Sequence, residues 1–88
     1  NLSFIYTELP RQSETSEEWW THEFGEVGTV LEGELTVNIG GEIFELKAGD
    51  TIYVKPHTRH CYYNKSETSK SVSFWTRFWE KTQDGQEN

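Results

Sequence analysis

The sequence predicts an all-β domain, built as a sandwich or a barrel. Three observations carry that prediction. Short β-prone runs, about eight or nine of them, recur along the chain with Gly, Pro, Asn and Asp turn signals between them. Several of these runs alternate apolar and polar residues with the two-residue period of a half-buried strand. No helix of consequence is indicated anywhere.

Residues 2–9 open the series, with Phe4, Ile5, Tyr6 and Thr7 together and Pro10 ending the run. They read as an edge strand, paired either within its own sheet or with a second subunit. Residues 11–18 are polar and acidic and read as a loop. Trp19, Trp20, Thr21 and His22 then form a strand in which Trp20 and His22 share one face. After a break at Phe24 and Gly25, Glu26 begins a strand that ends at Gly33. Residues 34–39 place Leu35, Val37 and Ile39 on one face and Glu34, Thr36 and Asn38 on the other. Gly40-Gly41 supplies the positive φ angles of a two-residue hairpin turn, and residues 42–46 return. Residues 51–55 form the next strand, closed by Pro56. From His60 the chain is extended again, with His60, Tyr62 and Asn64 on one face and Cys61 and Tyr63 on the other. In residues 71–79, Val72, Phe74, Thr76 and Phe78 alternate with Trp75, Arg77 and Trp79. Both faces of that last strand carry aromatics, so both are expected to be covered. Residues 1–79 are thus expected to form one barrel, and residues 80–88 a polar C-terminal tail.

Eighty-eight residues lie near the lower end of what buries an adequate core alone. Homodimerisation would relieve that shortage and is expected. Four Trp, four Tyr and five Phe offset a low aliphatic content, since each large ring buries roughly 150–250 Å². A formal charge of −7 argues against nucleic acid and anionic membranes as partners, because both attract a basic face. Cys61 is the one cysteine, which rules out an internal disulfide and fits a cytoplasmic, reducing compartment. No apolar run has membrane-spanning length, and no signal-peptide core is present.

Two stretches hold metal-capable side chains beside strand-like runs. Residues 20–33 supply His22 and Glu26, and residues 49–64 supply His60. Two imidazoles and one carboxylate form the set that holds Fe(II), and other divalent metals, with coordination positions left open. His57 is a fourth imidazole, expected on the surface of the Pro56 loop. Arg77, within an aromatic strand, needs a partner if buried. That partner is either an acidic side chain or a ligand carboxylate. Cys61 and His60 are adjacent and point to opposite faces, which argues against a Cys-His nucleophile.

These stretches resemble the two motifs of the cupin superfamily, in its small single-domain form. His22, Glu26 and Gly33 fit the first motif, H-x-H, then E, then G, with Trp20 in place of the first His. Gly49, Pro56, His60 and Asn64 fit the second, G, then P-x-G-x-x-H, then N. Thr58 stands where that family has Gly, and His60 comes one residue early. The resemblance implies a cupin-type jelly-roll β-barrel, the double-stranded β-helix. It also implies a divalent ion (Fe, Mn, Ni or Zn) on His22, Glu26 and His60. The open positions would face an aromatic-lined pocket for a small organic molecule, with Trp20, Tyr53, Tyr62, Phe74 and Arg77 as its lining. An enzyme of this kind would use metal-assisted chemistry. The alternative is a non-catalytic ligand-sensing or binding cupin, free of metal, in which Glu26 and the histidines form a buried hydrogen-bonded cluster.

Overall fold

The computed structural model describes residues 2–14 and 23–79. The strand expected at Trp19–His22 and the tail expected at residues 80–88 lie outside the described residues. Within them the chain forms eight strands: β1 (Leu2–Leu9), β2 (Ser13–Glu14), β3 (Gly25–Glu32), β4 (Glu34–Ile39), β5 (Glu42–Lys47), β6 (Thr51–Val54), β7 (His60–Asn64) and β8 (Ser71–Phe78). They make two antiparallel sheets, ordered β1-β8-β3-β6 and β2-β7-β4-β5. None of the described residues forms a helix, and among them no helix is long and apolar enough to cross a membrane.

The period-2 pattern dictates the layering. Each sheet turns one set of alternate residues inward, where Leu9, Val30, Leu35, Val37, Val54, Tyr62 and Trp75 pack as one core. The hairpin at Gly40-Gly41 forms as expected. Both glycines adopt positive φ, 59° and 99°, which side-chain-bearing residues reach only with strain. The Asn38 side chain accepts the Gly41 amide at 3.0 Å, and β4 and β5 pair in register from Ile39–Glu42 to Glu34–Lys47.

β1 is an edge strand, as expected, and pairs along its whole length with β8 of its own chain. One expectation is corrected. The last strand is covered on its inner face and only in part on its outer one. Ser71, Ser73 and Trp75 are buried inward and Val72 is buried outward, whereas Phe74 on the outer face is 39% exposed.

Candidate functional site

The site grows from the register of β3 against β8. Glu26 lies directly opposite Arg77, and both side chains point between the sheets. The Arg77 Nε donates to Glu26 Oε2 at 2.7 Å. From the other sheet, β7 sends Tyr62 and His60 inward from alternate positions. The Tyr62 hydroxyl donates to Glu26 Oε1 at 2.8 Å, and His60 Nε2 lies 3.6 Å from the same oxygen. Glu26 therefore ties the two sheets together. It is 4% exposed, and a buried carboxylate is tolerable only because its charge and lone pairs are met in this way.

The partners are themselves held. His60 Nδ1 sits 2.8 Å from the Thr58 carbonyl, which can only accept, so Nδ1 carries the proton and donates. Burial pushes the Tyr62 hydroxyl far above its ordinary pKa, helped by the Glu26 charge and the hydrogen bond to it. Tyr62 thus stays a protonated donor. The Arg77 guanidinium also lies over the Phe24 ring, 4.8 Å from its centroid.

Beside this cluster is a cavity of about 140 Å³. Ile5, Leu9, Leu35 and Trp75 give it apolar walls, Thr7 and Ser73 add hydroxyls, and Glu26, Tyr62 and Arg77 form a polar end. His60 is not one of its lining residues. Trp75 reaches its place because β3 offers a glycine opposite it. A Cβ on Gly28 would come within 2.3 Å of the indole. The indole Nε1 donates to Ser73 Oγ at 2.8 Å, which fixes the ring as a cavity wall.

The expected site residues divide into three groups. Glu26, His60, Tyr62 and Arg77 come together. His22 and Trp20 lie outside the described residues. Tyr53 and Phe74 do not line the cavity. They stand on the outer face of the β1-β8-β3-β6 sheet, 46% and 39% exposed, and are corrected from pocket to surface. The cavity walls Ile5, Thr7, Leu9, Leu35, Ser73 and Trp75 were not among the expected pocket set. One signal could have found Ser73 and Trp75: if Arg77 faces inward, so do the residues two and four before it. Asn64, a position of the second motif, is buried at the far end of β7 from His60. Its Nδ2 donates to the carbonyls of Leu9, Pro10 and Ser69, and its Oδ1 accepts from the Ser66 amide, stapling the loop before β8 to the end of β1. His57 is exposed, as expected, and has φ 62°. The left-handed residue of the loop is thus His57, and Thr58 has no positive φ.

The residues present can be tested against a divalent ion. Two donors at about 2.1 Å from one ion, with a tetrahedral angle, stand about 3.4 Å apart, close to the 3.6 Å between His60 Nε2 and Glu26 Oε1. A metal-binding imidazole also usually donates its other N–H to a carbonyl or carboxylate, as His60 does to Thr58. This pair fits two positions of such an ion. Among the described residues no group of three His, Cys, Asp or Glu side chains converges, so a third donor has to come from elsewhere, and His22 is the residue expected to supply it.

Comparison with known proteins agrees with this architecture. The structure is similar to an RmlC-like cupin from Shewanella frigidimarina, at 28% identity and a TM-score of 0.75, over 86% of this chain and 64% of that one. It is similar to a predicted oxalate decarboxylase from Thermotoga maritima at 20% identity and a TM-score of 0.79, over 88% of this chain and 65% of that one. The cupin domain of Cnp3 from Schizosaccharomyces pombe gives 14% identity and a TM-score of 0.82, over 90% and 53%. The chain thus spans less than two thirds of the length of these structures. No curated protein sequence matches it. A family model described as the cupin domain matches residues 6–76, and the chain belongs to that family.

Proposed function

We propose that the barrel binds a small organic molecule with an apolar body and one oxygen-bearing end, an acid or a carbonyl compound, and that a divalent metal joins the site through His22, Glu26 and His60. The supporting observation is the cavity itself: apolar walls converge on a polar end made by Glu26, Tyr62 and Arg77. Its volume of about 140 Å³ suits a molecule of roughly benzene's size. Arg77 uses its Nε on Glu26, and a guanidinium has further N–H donors to offer a ligand oxygen. A bound ion would polarise a carbonyl or carboxylate oxygen. The chain's own residues hold and orient the ligand, and the walls keep water from it. Binding is the common requirement of an enzyme and of a sensor. A particular reaction is not assigned, because one fold hosts many.

A second reading, binding without metal, is favoured by one observation. Arg77 already neutralises Glu26 at 2.7 Å, and a guanidinium so close disfavours a further cation on the same carboxylate. Elemental analysis of untagged protein, incubated with Fe(II), Mn(II), Ni(II) or Zn(II), separates the readings. Near-stoichiometric metal in the parent, lost in His22→Ala and His60→Ala, is the expected result. No metal in the parent would discard the three-ligand site. The binding proposal then stands or falls on thermal shifts with benzoate and butyrate in excess chelator, abolished by Arg77→Met.

A further inference from the structure

The inward side chains of β1 and β8 form a ladder along the cavity wall. Cross-strand pairing sets Ile5 opposite Trp75 and Thr7 opposite Ser73, and all four line the cavity. Arg77, two residues past Trp75 on the same face, belongs to the polar end. An apolar step therefore separates Arg77 from a pair of hydroxyls. Ser73 and Arg77 are about 13 Å apart along an extended strand, so the two polar places lie at opposite ends of the Trp75 wall. The hydroxyls have hydrogen-bonding capacity left. Ser73 is 2% exposed, and its Oγ accepts the Trp75 indole N–H at 2.8 Å, which leaves its own O–H to donate. Among the described residues no acceptor takes that hydrogen, and no partner engages the Thr7 hydroxyl.

We infer that this hydroxyl pair is a second subsite and that the barrel takes a small oxo acid, with its carboxylate at Arg77 and its ketone oxygen between Thr7 and Ser73. The inference rests on the binding reading above and adds the far group of the ligand to it. Residues directly opposite on antiparallel strands have Cβ atoms about 5 Å apart, and a hydroxyl reaches its acceptor at about 2.8 Å. Two donors so placed match the two lone pairs of one carbonyl oxygen. A ketone takes both donors and brings no hydrogen that would need an acceptor in its turn. Charge fixes the orientation. Among the described residues Arg77 is the one cation lining the cavity. Its side chain is 31% exposed, so a carboxylate there keeps some contact with water, while the uncharged ketone goes to the buried end.

Isothermal titration calorimetry of the protein as purified tests the inference, with 4-oxopentanoate against pentanoate and 5-oxohexanoate against hexanoate. At least one oxo acid should bind about five- to tenfold tighter than the alkanoate of its own length. Thr7→Val keeps the shape of the side chain and removes the hydroxyl, and it should cut that ratio to about twofold or less. Thr7→Ser should keep the ratio. Ser73→Ala should cut it as Thr7→Val does. It also strands the Trp75 indole N–H, so if that variant does not fold, Thr7→Val decides. Ile43→Ser, at an exposed position of the other sheet, should retain the ratio. Alkanoates that bind as tightly as the oxo acids, or a preference that survives Thr7→Val, would overturn the second subsite and leave the binding reading standing. No binding by any of these acids, or binding indifferent to Arg77→Met, would overturn that reading and the subsite with it.

Discussion

The two faces of β8 both carry aromatic rings, with opposite consequences. Inward, Trp75 and Arg77 are fixed by named partners: Ser73 holds the indole, and Glu26 holds the guanidinium. Outward, Phe74 and Phe78 stack on the rings of Phe4 and Tyr53. An aromatic residue in a sheet is therefore not a site or a core element by type. The inward face became a candidate site because polar groups converge there under burial, where each must be satisfied. The outward face carries no such demand.

The comparison can be broken most severely from the inside. Trp75→Ala should cost about 3–5 kcal/mol. It empties the space over Gly28, which has no side chain with which to refill it. Urea titration should show a lower midpoint with the slope retained. Next comes Glu26→Ala, which strands Arg77 and the Tyr62 hydroxyl. Breaking a buried pair costs about 3–5 kcal/mol. The Arg77 side chain is 31% exposed and can turn toward water, so about 2–3 kcal/mol is expected by the same titration. A loss under 1 kcal/mol would mean that the carboxylate does not bind the sheets together.

Much of this molecule was legible in its sequence, for identifiable reasons. The Leu35-Val37-Ile39 alternation and the Gly-Gly turn are local facts, and they located the hairpin. Glu26 and His60 were found through their spacing to Gly33 and Gly49. Arg77 needed a partner, yet the sequence offered fifteen acidic residues. Only the register of two strands distant in sequence selects Glu26. Tyr53 and Phe74 were misplaced because period-2 alternation tells which residues share a face, not which face turns inward. The parity was nevertheless available: Phe74 and Arg77 are three residues apart and cannot both point into one cavity.

The smallest effect sharpens the comparison most. Phe74 is the immediate neighbour of Trp75, so Phe74→Ala and Trp75→Ala remove aromatic rings from the same point of the same strand on opposite faces. The Phe74 ring loses its stacking on Phe4 and some cover of the sheet, about 1 kcal/mol. The cost of Phe74→Ala, read from the same urea titration, should therefore be a fraction of that of Trp75→Ala, whose ring is 5% exposed. Equal costs for the two substitutions would mean that the outer ring is held as firmly as the inner one.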